Sequence, residues 1–454
     1  MSSNKYVECN RDFTDLANRR CKPHLQIDFD KRTSGNIAID KFIQDAQQNA
    51  DSNWKVIEWI PYNRLKDIEE VAKGGFGTIH KAKWITHKNK CIDGLIEELD
   101  FENQRWSRYD QRKVALKKFD NNFTDLNEDF LNEIAIHLKT MNGFATPRIY
   151  GITQDPETNE FIMVLDYMFG GNLRDYLKNN FNNINWKLKL GYLRRLASNF
   201  ENIHKLDIIH HDFHPGNILS DNFNFKDSSI KISDFGLSKL IGHDVKNPEK
   251  RRIFGVLPYI APEVLSGEEY TKAADVYSFG IIAYEIVTGF APYYDIPHDI
   301  NLARQICDGL RPKIPFHIPK LITQIIMRCW DARVTHRPTF KELNFELCKY
   351  RWDYRKNNYK NNNEITVQIK QAKEFSKNKE KGGFLNLIRS SKSKLSTNPT
   401  PINYKTHPEA IYTSRLLNYL SLPKPKNDEN FENELEELTK SISALSIVAS
   451  RPVG

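Results

Sequence analysis

The sequence predicts an α+β protein in two lobes, a small antiparallel β-sheet lobe carrying one main helix and then a larger, mostly helical lobe. Three observations carry that expectation. From Trp59 onward apolar residues alternate with polar ones around a glycine cluster, VAKGGFGTIHKAKW, the pattern of a strand, a tight turn and a second strand. From about Leu173 to Tyr350 apolar residues recur at helical spacing, broken by Gly and Pro where loops are expected. Both sides of this block are polar, so residues 1–58 read as an N-terminal extension, 59–350 as the folded domain (lobes 59–166 and 169–350), 351–405 as a basic disordered linker and 406–454 as a C-terminal helical tail.

Composition supports one core with two extensions. Of 454 residues, 39% are hydrophobic and 11% aromatic, ample for a globular interior, while 27% are charged and fit the polar flanks. No stretch approaches the roughly 20 apolar residues of a membrane span. The opening MSSNKYVECNRDF lacks the apolar centre of a signal peptide, so a cytoplasmic location without stable membrane insertion is expected. The six cysteines, Cys9, Cys21, Cys91, Cys307, Cys329 and Cys348, form no CxxC pair, which suits reduced thiols better than a disulfide framework. Cys9 and Cys21 alone do not close a tetrahedral zinc site. Much of the net charge of +8 sits in one tail segment without a recognisable binding motif, so no nucleic-acid partner is expected.

In the flanks, Ile37 to Ala50 (IAIDKFIQDAQQNA) has the periodicity of a short amphipathic helix and reads as a docking extension. Phe431, Leu435, Leu438, Ile442 and Leu445 alternate at spacings of four and three, a coiled-coil seam over an acidic helix starting near Asn430. That seam fits either a helix docked on the folded domain or self-association and partner binding.

Four features of the folded block share one chemistry. Phosphoryl transfer asks for a phosphate cradle, a lysine, metal-holding carboxylates and an oriented base. The cradle candidate is Ala72-Lys73-Gly74-Gly75-Phe76-Gly77, where missing side chains let backbone N–H groups approach phosphate oxygens. Val114-Ala115-Leu116-Lys117 is a buried-strand tripeptide followed by a cation, and the helix around Asp129 to Ile136 offers Glu133 to hold it. The stretch IIHHDFHPGNIL, Ile208 to Leu219, places Asp212 as a base beside a substrate hydroxyl and Asn217, five residues on, near a metal. Lys231-Ile232-Ser233-Asp234-Phe235-Gly236 adds a second carboxylate suited to magnesium. Each tripeptide alone is weak; their order and spacing together are specific.

With these residues the chain resembles the eukaryotic protein kinase superfamily over about residues 60–350. The resemblance continues through Ala261-Pro262-Glu263, Asp275-Val276-Tyr277-Ser278-Phe279-Gly280 and Arg337-Pro338. It implies the bilobal protein kinase fold, ATP and Mg2+, and a protein substrate phosphorylated on Ser or Thr, with Tyr left open. It further implies that Glu263 pairs with Arg337, that Asp275 anchors the catalytic loop, and that Leu165 is the gatekeeper before a hinge from Asp166 to Met168. Ile79 and Ala115 complete the nucleotide-binding set. DVYSFG, CW and HRPTF are most similar to the tyrosine-kinase-like group, and the phrase HPEAIYTSRLLNYLSLPKPKN resembles expanded fungal families of such kinases.

The departures from the family pattern bear on function. Ala72 replaces the first glycine of GxGxxG, and about thirty residues, Trp84 to Lys113, precede the lysine strand as a surface excursion or binding loop. His211 stands where an arginine usually clamps an activation-loop phosphate, and between Lys239 and Leu265 the only hydroxyl side chain is Tyr259. His214 and Val256 replace a lysine and a threonine that meet in serine/threonine kinases. An active kinase independent of activation-loop phosphorylation is the leading expectation; a pseudokinase scaffold is the alternative, and the HxDxHPGN stretch is also similar to small-molecule phosphotransferases.

Overall fold

The computed structural model describes residues 33–50, 55–74, 77–85, 96–100, 105–108, 111–119, 126–141, 145–224, 230–240, 253–380, 404–419 and 422–449. The chain divides into two units, one ending at Phe169 and the other starting at Gly170.

The first unit opens with α1 (Ile37–Asn49), capped by the Asn36 side chain, which accepts from the Ala38 and Ile39 N–H groups. Strands β1 (Glu58–Trp59), β2 (Leu65–Gly74), β3 (Gly77–Ile85), a separate hairpin of β4 (Ile96–Asp100) and β5 (Arg105–Arg108), and β6 (Gln111–Lys118) follow. Helix α2 (Leu126–Thr140) and strands β7 (Ile149–Gln154) and β8 (Phe161–Asp166) complete the unit. The main sheet runs β1-β7-β8-β6-β3-β2, antiparallel except that β1 pairs parallel with β7. Alternation along the strands gives two cores. One face buries Ala82, Trp84, Val114, Leu116, Ile162 and Val164; Met163 and Ile152 pack instead with Phe130 and Ile134 of α2 and Ile39 and Ile43 of α1. The amphipathic N-terminal helix is thus part of this core, and Gln47 tightens it by donating to the Ile57 carbonyl at 2.8 Å. The excursion expected from Trp84 to Lys113 is partly strand: β3 reaches Ile85 and β6 resumes at Gln111.

The second unit contains α3 (Leu173–Asn180), α4 (Trp186–His204), β9 (Ile208–Ile209), β10 (Ile218–Ser220), β11 (Ile230–Ile232), β12 (Lys239–Leu240) and β13 (Ile253–Gly255). Then come α5 (Pro262–Leu265), α6 (Lys272–Thr288), α7 (Ile300–Cys307), α8 (Lys320–Cys329), α9 (Phe340–Arg355), α10 (Glu364–Glu380), β14 (Arg415–Leu417) and α11 (Phe431–Ala449). Helix α6 is buried without a break from Ala274 to Thr288, as its largely apolar text requires.

Two expectations about the tail need correction. Residues 351–380 are not disordered: α9 continues to Arg355, and α10 buries Ile365, Ile369 and Ala372, one helical face. The Asn-rich text between them acts as a clasp, because Asn361 and Asn363 both donate to the Asp353 carbonyl, at 2.9 and 3.2 Å. Among its described residues the tail from residue 406 is helical only from Phe431, since Pro408, Pro423 and Pro425 interrupt helix formation. Before that helix the described residues run without helix along the rest of the second unit. The His298 N–H donates to the Glu409 carbonyl at 3.0 Å and the Lys426 N–H to the Cys307 carbonyl at 2.9 Å. Helix α11 packs on α8, where Gln324 donates to Thr439 at 3.0 Å, with Phe431 buried and Leu435 and Leu438 half-buried.

Candidate active site

In the first unit the strand register gathers the expected nucleotide-binding residues on one face. Ala72 pairs with Ile79, Ile79 with Lys117, and Ala115 with Leu165, and cross-strand partners point to the same side. The Lys117 ammonium donates to Glu133 Oε1 at 2.6 Å, with the two side chains only 7% and 3% exposed. A rigid central strand and the α2 helix therefore hold this pair. Ala72 takes part in the β2–β3 ladder, which explains why a Cβ is tolerated where glycine is usual. Gly77 has no such tolerance: its φ is +140°, and a Cβ would lie 2.0 Å from the Lys118 carbonyl oxygen. Gly74 lies opposite it in the ladder; Gly75 and Phe76 lie outside the described residues. At the end of β8, the Asp166 N–H donates to the Arg148 carbonyl at 2.8 Å, and its carboxylate accepts from Arg112 and Tyr150, each at 3.0 Å. Met168 is buried two residues on.

The second unit builds its site on a loop held by α6. Asp275 Oδ2, in the first turn of that helix, accepts the His210 N–H at 3.1 Å and sits 2.9 Å from His204 Nε2. Two residues on, Asp212 is almost fully buried, and the Asn217 amide donates both to its carbonyl at 3.0 Å and to its carboxylate at 3.3 Å. The Asn217 carbonyl in turn accepts the Ser233 N–H at 2.9 Å, and β10 pairs with β11 through Ile218 and Ile232, so Asp234 follows directly from this ladder. Asp234 adopts φ +65°, half-buried, with Phe235 buried behind it.

Burial pushes the Asp212 carboxyl up, but His214, Ser414 and His210 outweigh it and hold the group below the usual carboxylate value. His214 Nδ1 accepts the Gly216 N–H at 3.1 Å, so in the neutral ring Nε2 carries the proton. That nitrogen lies 3.1 Å from the Ser414 hydroxyl, and Ser414 donates to Asp212 Oδ2 at 2.6 Å. His211, at φ +69°, stacks on Tyr270 with ring centroids 4.3 Å apart.

The scaffold residues occupy the places the resemblance implied. Arg337 and Glu263 form two parallel hydrogen bonds of 2.7 Å, both groups buried. Val256 and Tyr259 are buried, and the Tyr259 hydroxyl donates to Glu285 at 2.5 Å. Ser414 was not singled out from sequence; it reaches Asp212 across 202 positions, a contact that no local spacing announces. Among the described residues no helix is long and apolar enough to cross a membrane. Cys307, Cys329 and Cys348 are free thiols; Cys9, Cys21 and Cys91 lie outside the described residues.

Comparison with known families decides the lineage. The model of the protein tyrosine and serine/threonine kinase family matches residues 65–347. The chain belongs to this family. Among curated relatives, a probable serine/threonine-protein kinase of Dictyostelium discoideum is 32% identical over 302 residues, 64% of this chain and 16% of that protein. A putative serine/threonine-protein kinase/receptor of Acanthamoeba polyphaga mimivirus is 30% identical over 366 residues, 76% of this chain and 21% of that protein. The dual specificity protein kinase pyk3 of Dictyostelium discoideum is 30% identical over 247 residues, 53% of this chain and 17% of its own. The chain thus spans well under a quarter of the length of these relatives.

Proposed function

We propose that this kinase-family chain is an active enzyme of the serine/threonine type and the tyrosine-kinase-like group, moving the γ-phosphate of ATP to hydroxyls of protein substrates in the cytoplasm. The observation that carries this reading is the Asp212 site: a buried carboxylate held ionised, braced by Asn217, with a serine hydroxyl already donating to it at 2.6 Å. A scaffold has no need for that arrangement, nor for a buried Lys117–Glu133 pair. The extended run into Ser414 also supports a peptide substrate over a small molecule.

In this reading Lys117, held by Glu133, steadies the α and β phosphates, while Gly74 to Gly77 cover them and Ile79, Ala115, Leu165 and Met168 line the adenine side. Asp166 contributes through its backbone, since its carboxylate is engaged by Arg112 and Tyr150. The Asn217 amide nitrogen is turned to Asp212, which leaves Oδ1 to offer a cation, and Asp234 adds a carboxylate. These are hard oxygen donors of the kind Mg2+ takes, with phosphate oxygens completing the shell. When bound, magnesium neutralises the charge that develops on the phosphates. Asp212 orients the acceptor hydroxyl and takes its proton. Activation needs no activation-loop phosphate: His211 is stacked on Tyr270 and Tyr259, the one hydroxyl side chain between Lys239 and Leu265, is buried against Glu285. The C-terminal helix turns Phe431, Leu435 and Leu438 toward its own chain, which favours docking over self-association.

The test is γ-phosphate transfer from Mg-ATP to a mixed Ser/Thr/Tyr peptide library, with Asp212→Asn as control. Loss of about 100-fold or more in the control is expected. Equal labelling by both proteins, or none from a folded sample that binds ATP, overturns the proposal.

A further inference from the structure

Resting on the kinase reading above, we propose that Ser414 is an intramolecular phosphoacceptor: the segment Tyr412–Leu417 lies in the acceptor-peptide position of its own domain, presenting the Ser414 hydroxyl to Asp212.

Three independent sets of contacts place the segment. The first fixes register: β14 pairs antiparallel with β13, Arg415 opposite Gly255, Leu416 opposite Phe254 and Leu417 opposite Ile253. Ser414 is therefore the residue just before the ladder, next to the loop carrying Asp212. Gly255, opposite Arg415, is itself close to that loop, since a Cβ there would lie 3.4 Å from Asp212 Oδ1. The second set anchors the upstream side. Arg174 donates to the Tyr412 carbonyl at 3.1 Å, the Tyr412 hydroxyl donates to the Pro292 carbonyl at 2.8 Å, and Arg174 lies over the Tyr412 ring at 4.8 Å. The third holds the downstream side: Arg415 donates to the His298 carbonyl at 2.5 Å, and Leu417 is buried.

The hydroxyl itself is oriented for transfer. It donates its proton to Asp212 at 2.6 Å and accepts from His214 Nε2–H at 3.1 Å, which leaves a lone pair on Oγ for attack. In the step, the Oγ–H bond breaks with its proton passing to Asp212, and a new Oγ–P bond forms. The bond from the γ-phosphorus of ATP to its bridging oxygen breaks, its electron pair leaving on ADP. Asp212 then returns the proton to solvent.

Two consequences follow. While Ser414 is unmodified, the segment occupies the place another peptide would need; a segment docked nine-tenths of the time raises the apparent KM of a competing peptide about tenfold. Once modified, Ser414 carries close to two negative charges against the Asp212 carboxylate, and repulsion favours release of the segment.

The experiment uses the full chain, dephosphorylated and then incubated with Mg-ATP, with phosphosites mapped by mass spectrometry across a wide range of protein concentration. Phosphate on Ser414, at a first-order rate constant independent of concentration and absent in Asp212→Asn, is the expected result. Labelling of a library peptide while Ser414 stays unmodified, or a rate constant rising in proportion to concentration, overturns this proposal and leaves the kinase reading standing. No transfer to any hydroxyl from a folded sample overturns both. Hydrogen exchange gives a readout that needs no turnover. The Arg415–Leu417 amides should be protected in the dephosphorylated chain, and free exchange there would sink the docked segment. Leu417→Asp, which loosens the segment away from Asp212, should lower peptide KM about tenfold, and an unchanged KM would remove the occlusion.

Discussion

Arg337→Ala provides the sharpest test of how the second unit is held together. The guanidinium makes two hydrogen bonds of 2.7 Å to Glu263, donates to the Asp331 carbonyl at 2.8 Å and to the Ala273 carbonyl at 3.0 Å, and lies over the Tyr277 ring. The side chains are 0% and 3% exposed, so truncation strands the Glu263 carboxylate in a medium that cannot hydrate it. Breaking a buried pair from one side costs about 3–5 kcal/mol, whereas an exposed pair costs about 1 kcal/mol or less. At roughly 2 °C per kcal/mol for a unit of this size, the buried reading predicts a fall in Tm of about 6–10 °C. Differential scanning calorimetry on the full chain measures it. Arg337→Lys should fall between wild type and alanine, because a point charge cannot reproduce the fork. A fall of under about 2 °C for alanine would refute the reasoning, since it would mean that water reaches Glu263.

Three further outcomes are expected. Gly77→Ala forces a Cβ onto the Lys118 carbonyl oxygen at 2.0 Å, so the KM for ATP should rise about tenfold and Tm should fall by a few degrees, read from initial rates and a thermal scan. Tyr259→Phe removes the hydroxyl that donates to buried Glu285 and should cost about 1–3 kcal/mol in chemical denaturation, while phosphosite mapping of wild type finds no phosphate there. Lys189 carries a pH signature: burial pushes its ammonium down to about 7, and it donates to the Val287 carbonyl at 2.9 Å. Above that value the folded chain has released this proton while the unfolded chain keeps it up to its ordinary value near 10.5, so stability gains from this group as pH rises from about 7 toward 10. The full span is about 5 kcal/mol. Lys189→Met should flatten that part of the Tm-versus-pH curve, and a mutant curve parallel to wild type would count against the buried ammonium.

What the sequence disclosed depended on how local each feature is. Lys117 and Glu133 lie 16 positions apart and Asp212 and Asn217 five apart, so spacing and flanking apolar text foretell their meeting. Helix α10 was legible in principle, with Ile365, Ile369 and Ala372 at helical spacing, but the Asn and Lys surrounding them resemble disordered text. The capping role of Asn361 and Asn363 depends on Asp353, at the end of the preceding helix. Ser414 is the extreme case, because antiparallel pairing of a three-residue strand with β13 has no local signature, and RLLN reads equally well as loop or helix. Tyr259 could be named as the sole hydroxyl in its segment, but that it is spent on Glu285 follows only from packing.

The departures at His214, in the catalytic loop, and at Val256, after β13, gain a common physical setting once the tail is in place. The side chain at position 214 is almost fully buried and accepts the Gly216 N–H, which a lysine cannot do. Histidine accepts on one nitrogen and donates on the other, and the donating side meets the Ser414 hydroxyl at 3.1 Å. Val256, buried just after β13, places no hydroxyl near this ring to compete for its proton. The loop thus exchanges a flexible lysine for a fixed ring donor matched to a hydroxyl acceptor. The group that the chain itself brings to this ring is a serine hydroxyl, on the extended strand beside Ile253–Gly255.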